Sequence, residues 1–551
     1  MRPPVRLERV EIENFRGVRR LDMSFDDVTV LIAENRHGKA TVFDALGLCL
    51  GLRGVADGAH FRASDFLAAG GEADAGAAEI RITLTFVSDS EAIHEHHRVA
   101  FIGTAADRRV QRAFVDVDGV PLAPQPSLEA LDALLSAHPV LMLRFAHPRT
   151  DNLGGLGEAE EGHPARRAES RRGGGNLAAT IARVYHDLAH TRGPVSAEQI
   201  SVGLQAAHRL LEEGVAEVDG PQPVHRVLDD LRSEVQKWGR ATPSDSSLDL
   251  SGSGSHNLAL LLVLGSILEV HGGRELEGPT NPIIMIEEPE AHLHPVLLAS
   301  TWDVIEALHA QTIVTTNSGE LLSSVPMVYL RRLVRTAEDV AVHRLDEQTL
   351  TPKDLRRVAY HVRAKRGGVL FARCWMLVEG ESEFWLLNQL AEVLGYDLEA
   401  EGVRMIEFAQ CGVAPLAKLA NDLGIPWHLL TDGDDSGSVY AKGAQNFLGD
   451  ADRSLRISML GHRDIEQCLW HYGFDDIYRD AARIADRPDG QGPPPQRIIQ
   501  KAVRKRSKPF LALAVAEAAA ERGAASIPPV LRNTIETSVV LARRTVAAFG
   551  R

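Results

Sequence analysis

The chain has 551 residues, 44% of them hydrophobic and 25% charged, with four cysteines and a formal net charge of -15. That length exceeds one hydrophobic core and points to two or three domains, while the acidic balance excludes a general nucleic-acid coat protein but leaves room for a local basic channel. No apolar run nears the ~18 residues of a membrane span, the opening MRPPVRLERVEIENF lacks the apolar stretch of a secretory signal, and Cys49, Cys374, Cys411 and Cys468 have no CxxC spacing, so zinc is not expected and reduced thiols in a cytoplasmic protein are.

In chain order, LERVEIENFRGVRRLDMSF alternates apolar and polar residues and predicts β-strands. VTVLIAENRHGKATVFDALGLCL predicts a strand, a tight loop and a helix, and strand character returns over about 78–120, as in AEIRITLTFV. The polar, Gly- and Arg-rich stretch from Asp151 to about Asn176 reads as a mobile loop. Residues 177–240 read as helices, clearest in LAATIARVYHDLA and HRVLDDLRSEVQKW, and form an arm inserted into the surrounding domain. NPIIMIEEPE and TIVTTNS each contain a buried strand. From Cys374 the motif vocabulary changes, which sets a boundary near 345–370, and RPDGQGPPPQ breaks the C-terminal part. No fixed-period repeat is present. The expected division is 1–150 and 241–350 as two parts of one α/β domain, 151–240 as the inserted loop and arm, and 351–551 as a second α/β domain with a C-terminal helical segment.

Ala33-Glu34-Asn35-Arg36-His37-Gly38-Lys39-Ala40-Thr41 stands between a strand and a helix, where a P-loop belongs. Consecutive backbone N–H groups and a helix N-terminus cradle phosphates there, and a lysine reaches the terminal phosphate oxygens. Asn35, Gly38, Lys39, Ala40 and Thr41 are the candidate phosphate-binding positions, although Ala33 replaces the first glycine of the pattern and Ala40 the Mg²⁺-binding hydroxyl, with Thr41 one residue late. The strand Ile283–Ile286 runs into Glu287-Glu288-Pro289-Glu290, a Walker B arrangement in which one acid holds Mg²⁺ and the next orients the attacking water. Leu250-Ser251-Gly252-Ser253-Gly254-Ser255 opens an apolar helix and reads as a second anion site.

A second set of acids follows. Cys374–Val378 runs into Glu379-Gly380-Glu381-Ser382-Glu383, and a helix beginning there would set Glu379 and Glu383 four apart on one face. Trp427–Thr431 ends in Asp432-Gly433-Asp434-Asp435-Ser436-Gly437, and the apolar ISML leads to Asp464-Ile465-Glu466. Clustered carboxylates at three strand ends favour hard cations such as Mg²⁺ or Mn²⁺, and two ions so held can activate water and stabilise the leaving oxygen of a phosphodiester.

The order strand–FRG, P-loop, inserted helices, Ser/Gly signature, EEPE, TTNS resembles an ABC-type ATPase head of the RecF/SMC-like kind. The resemblance implies ATP as ligand, with Arg16 of Asn14-Phe15-Arg16-Gly17, Glu287 and Glu288 at the nucleotide, Asn317 at the switch position usually held by His, and Ser251 and Gly254 touching ATP on a second protomer, hence a homodimer. The substitutions at Ala40 and Asn317 imply ATP binding with slow or regulated hydrolysis. LVEGxxE followed by DxDxxG resembles the Toprim fold, with Glu379, Glu383, Asp432 and Asp434 as its acids and Asp464 and Glu466 as the additional acids of nuclease-type Toprims. An ABC head joined to a C-terminal Toprim resembles the OLD (overcoming lysogenization defect) family of ATP-dependent endonucleases, which implies metal-dependent DNA cleavage in phage defence or DNA repair and leaves room for a helicase partner. That family carries a further lysine, and Lys508 in Lys508-Pro509-Phe510-Leu511-Ala512 matches its segment. The catalytic set so implied is Glu379, Asp432, Lys508 and, in the head, Glu288. The basic residues near Lys508, and Arg363, Lys365 and Arg366, are candidate phosphate contacts. The rival readings are a RecF-like DNA-binding scaffold without cleavage, and a topoisomerase, for which Tyr440, Tyr472 and Tyr478 lie outside any recognisable pattern.

Overall fold

The computed structural model describes residues 5–34, 37–50, 60–66, 79–88, 97–144 except 124, 127, 137 and 139, 282–336 except 292–294, 307 and 309, 339–364 except 347, 367–449, 452–484 and 493–547. The expected loop and helical arm at 151–240 and the positions Asn35, Ser251, Gly254, Lys365 and Arg366 lie outside them. The chain divides into two compact units, Met1–Val342 and His343–Arg551. No helix among the described residues is long and apolar enough to cross a membrane.

The first unit is built on an eleven-stranded sheet. Its strands are β1 (Val5–Phe15), β2 (Val18–Ser24), β3 (Val28–Ile32), β4 (Glu79–Ser88), β5 (His97–Thr104), β6 (Gln111–Phe114), β7 (Val140–Arg144), β8 (Ile283–Glu287), β9 (Gln311–Thr315), β10 (Leu330–Arg335) and β11 (Val340–His343). They lie in the order β6-β5-β4-β1-β2-β11-β10-β3-β9-β8-β7. The half from β6 to β2 is antiparallel, and β10, β3, β9, β8 and β7 are parallel. Composition follows pairing. β2 alternates, whereas β3 (VTVLI) and β9 (QTIVT) are buried throughout, as expected for parallel strands covered on both faces. The β1–β2 connection explains the FRG motif locally. Phe15 pairs with Val18, so Arg16 and Gly17 form a two-residue turn, and both have positive φ (47° and 79°), as a primed hairpin turn requires. The helices are α1 (Lys39–Leu50), α2 (Leu128–Ser136), α3 (Pro295–Glu306) and α4 (Gly319–Leu322). α1 buries Val42, Phe43, Leu46 and Leu50 in the core that also holds Ile12, Leu31 and Met285.

The second unit carries a four-stranded parallel sheet, β12 (Cys374–Val378), β13 (Val403–Glu407), β14 (Trp427–Thr431) and β15 (Ile457–Met459), ordered β13-β12-β14-β15. Its helices are α5 (Pro352–Ala364), α6 (Glu381–Val393), α7 (Val413–Asp422), α8 (Asp435–Gln445), α9 (Ile465–Leu469), α10 (Asp475–Ala482), α11 (Pro495–Lys505), α12 (Lys508–Arg522) and α13 (Pro529–Ala547). β12 (CWMLV) and β14 (WHLLT) are wholly buried. The chain leaves β12 for β13 on one side and then crosses to β14 on the other. This places a topological switch point between β12 and β14, the crevice where open α/β sheets bind ligands beyond their carboxyl ends.

Candidate functional site

In the first unit, the loop after β3 meets the segments after β8 and β9. Gly38 has φ 104°, a conformation a side chain rarely adopts, and its carbonyl accepts the Val42 N–H as α1 begins. The Lys39 ammonium donates to the Ala33 carbonyl at 2.7 Å and to Oδ1 of Asn317. Burial lowers its pKa to about 8, against the raising influence of Glu288, Glu290 and Glu287. The Asn317 amide in turn donates to Glu288, and its backbone N–H donates to Glu290 at 2.7 Å, beside the Thr316 hydroxyl at 2.9 Å. Asn317 therefore bridges the candidate phosphate lysine and the candidate water-orienting acid. Glu288 itself sits at φ 51°, strained for a residue with a side chain. Glu287 ends β8, Thr41 is buried on α1 and Ala40 is exposed. Arg16 is turned toward Asp44 of α1 and Asp65, with Nε 2.6 Å from the Asp65 carboxylate.

Glu290 carries a role that the motif alone did not assign. It is the acceptor that fixes the Thr316–Asn317 backbone, and burial raises its pKa. Its Oε2 is shielded from solvent without a hydrogen-bond partner.

In the second unit, Glu379 directly follows β12 and Asp432 directly follows β14, the two strands that flank the switch point. α6 begins at Glu381, so Glu379 is not a helical residue, and the expected pairing of Glu379 and Glu383 on one helix face is corrected. Glu383 instead occupies the first turn and accepts the Gly380 N–H at 3.2 Å. Asp434 caps α8 through Gly437 N–H at 2.7 Å, and Asp464 caps α9 through Gln467 N–H at 2.8 Å. The third acid pair is thus set by a helix cap several residues beyond β15, not by the strand end itself. Two glycines hold the Asp432 loop in place. A Cβ on Gly437 would lie 1.9 Å from the Asp432 carbonyl oxygen, and one on Gly433 would lie 2.4 Å from the carbonyl oxygens of Leu460 and His462.

The acids act on one another. Burial, then Glu379, Glu383, Asp464 and Glu466, push Asp432 up to about 8. Glu383 is raised to about 7 by burial, with Glu466 adding to it, and Glu379 is raised by burial and by Asp434. Lys508, at the start of α12, pairs with Glu466 at 2.8 Å. Burial opposes its charge, but the bond to Glu466 and the nearby Glu383 and Asp464 outweigh that and raise its pKa. Two observations fit a divalent cation. Oε2 of Glu379 is shielded and accepts no hydrogen bond, and Asp432 is pushed up by burial and then by neighbouring negative charge, the second of which a cation would neutralise. Among the described residues no group of three or more His, Cys, Asp or Glu side chains is placed to hold a metal ion together, so the acids stand as electrostatic neighbours.

The family described as "Protein of unknown function (DUF2813)" matches residues 5–109 and 103–368, and the "Overcoming lysogenization defect protein-like, TOPRIM domain" matches 370–434. The chain is 34% identical over 566 aligned residues to the uncharacterized protein YbjD of Escherichia coli (strain K12), covering 98% of this chain and 99% of the relative. Similar solved structures include the C-terminal region of the Burkholderia pseudomallei OLD protein (24% identity, 30% of this chain and 96% of that one, TM-score 0.26). Another is the SMC head domain from Thermotoga maritima (16% identity, 62% of this chain and 99% of that one, TM-score 0.32).

Proposed function

This chain belongs to the DUF2813 family and carries an OLD-like Toprim domain, and from that premise we propose that it is a divalent-metal-dependent DNA endonuclease modulated by ATP at an ABC-type head. The observation that carries this reading is Asp432, pushed up to about 8 by burial and by four surrounding acids, with Lys508 hydrogen-bonded to one of them.

In this reading, Glu379, Glu383, Asp432, Asp434, Asp464 and Glu466 hold Mg²⁺ or Mn²⁺, two ions in all. When bound, the ions supply a water of lowered pKa and neutralise charge on the leaving oxygen. The caps at α8 and α9 fix Asp434 and Asp464, so their orientation costs little at the moment of reaction. Lys508 sets a permanent positive charge beside the acids, where the phosphoryl group would develop negative charge. In the head, Lys39 takes the ATP phosphates in place of its Ala33 and Asn317 partners, and Glu288 orients water. The absent hydroxyl at Ala40 and the amide at Asn317 favour slow hydrolysis, so ATP acts as a gate. Ser251 and Gly254 would reach ATP on a second copy and make the protein a homodimer in the cytoplasm, in phage defence or DNA repair.

The test is cleavage of supercoiled plasmid by the full chain with Mg²⁺ or Mn²⁺, with and without ATP. Nicking or linearisation lost in Glu379→Ala and on EDTA addition is expected. Intact plasmid under every metal and nucleotide condition would overturn the reading.

A further inference from the structure

Four Phe, Tyr or Trp side chains are strongly exposed among the described residues: Tyr360, Trp385, Tyr472 and Phe510. Three of them lie on the segments that carry the acid site. Trp385 is two residues past Glu383, Tyr472 follows α9, and Phe510 is two past Lys508. Scattered single exposures need no explanation, but Tyr472 is held in a built feature. It occupies the kink between α9 and α10, where Tyr472 (φ -95°, ψ 18°) and Gly473 (φ 91°, ψ 17°) leave helical geometry. Beneath it, Trp470 and Phe474 are buried, and Arg522 donates to the Gly473 carbonyl at 2.6 Å while lying 5.0 Å from the Phe474 ring centre. Alongside it, the His462 ring lies 6.1 Å from Tyr472 at 30°, and 4.6 Å from His471 edge-on. The His462 carbonyl accepts the Gly433 N–H at 3.0 Å. The platform therefore starts one hydrogen bond from the Asp432 loop.

Charge provides an independent observation. α11 buries Ile498, Ile499 and Ala502 and exposes Arg497, Lys501, Arg504 and Lys505, continuing to Arg506 and Lys508 with no acid in 493–508. On a chain of net charge -15 this is a concentrated basic face. Arg506 also lies 4.6 Å from the Phe510 ring centre, a second cation–aromatic station. Cations tracking a backbone together with rings that take up base faces are what an unpaired strand requires, because a duplex keeps its base faces stacked on each other.

We propose that the acid site takes its nucleic acid as an unpaired strand, with His462 and Tyr472 stacking an exposed base next to the site and the basic face of α11 holding the phosphates. The proposal rests on the nuclease reading for its substrate site, but its test measures binding and not cleavage. The full chain is titrated in EDTA against a fluorescent oligothymidine, a strand of equal length made of abasic units, and a duplex, with anisotropy as the readout. Stacking predicts about 10-fold tighter binding of the base-bearing strand than of the abasic strand. Tyr472→Ala and His462→Ala should each shrink that ratio, and Tyr472→Phe should retain it. Equal affinity for all three substrates, or a ratio unmoved by Tyr472→Ala, overturns the proposal. A preserved base preference in protein that cuts nothing with Mg²⁺ or Mn²⁺ supports the platform and removes the nuclease reading; cutting without base preference does the reverse.

Discussion

Asp432 lies where burial, and then like charge, oppose ionisation. Its folded pKa, about 8, stands above its ordinary value of 3.8. A raised acid contributes stability that is full below the ordinary value and is lost as pH rises through the folded one. The metal-free protein should therefore lose thermal stability as pH rises from about 4 to about 8. Added Mg²⁺ or Mn²⁺ should raise the melting temperature more at the alkaline end, where no proton has to leave. Differential scanning fluorimetry across pH reads both effects, and Asp432→Asn should flatten both; an unchanged profile in that variant would assign the pH dependence elsewhere. Gly437 gives a second residue-scale expectation. Its missing Cβ would stand 1.9 Å from the Asp432 carbonyl oxygen, so Gly437→Ala should destabilise by about 1–3 kcal/mol through forced backbone displacement. It should also weaken the metal-induced melting shift. A fully stable Gly437→Ala variant with a normal metal response would mean that the loop relaxes freely.

At the scale of elements, what could be read from the sequence depended on how local each signal was. β12 and β14 were legible because five buried residues run straight into a carboxylate, and β3 with its loop and α1 because the apolar run breaks at Gly38-Lys39. β13 was missed because Arg404 and Glu407 interrupt its apolar pattern. The start of α6 was read two residues early because Glu379 and Glu383 have helical spacing, whereas Gly380 keeps the backbone extended until Glu381. Glu290 could not be assigned because its partners Thr316 and Asn317 arrive just past the end of β9, 26 and 27 residues away. Lys508 was reached only by resemblance, since its pairing with Glu466 depends on how α12 docks against α6 and α9 and not on local spacing. That pairing yields an element-scale prediction. Lys508→Ala should lower the cleavage rate about 100-fold or more, the usual loss when a preorganised charge-stabilising donor is removed, with a much smaller change in strand affinity. Lys508→Arg should recover part of the rate. Single-turnover cleavage beside equilibrium binding separates the two quantities, and equal losses in both would make Lys508 a binding residue only.

At the scale of the whole molecule, the proposed reading assigns the nucleotide residues and the acid site to different units. The candidate nucleotide residues Lys39, Glu288 and Asn317 belong to Met1–Val342, and the acids and Lys508 belong to His343–Arg551. In the reading proposed above, ATP would influence cutting by changing an equilibrium shared by the two units. Such coupling is reciprocal: if ATP changes DNA affinity by some factor, DNA changes ATP affinity by the same factor. In that reading the Lys39 contacts give the equilibrium a starting point, because a bound phosphate would displace Asn317, which also holds Glu288. Asn317→Ala should thus bind ATP more tightly and hydrolyse it no faster, since the constraint on Lys39 and the support for Glu288 disappear together. Lys39→Ala should abolish both nucleotide binding and the ATP effect on DNA affinity. Fluorescent-nucleotide titrations with and without DNA, set against DNA titrations with and without a non-hydrolysable ATP analogue, measure the two factors independently. Equal factors in the parent chain, both falling to unity in Lys39→Ala, would establish ATP as an allosteric ligand of the acid site. A nucleotide effect on DNA that survives Lys39→Ala would move the regulatory site away from the P-loop altogether.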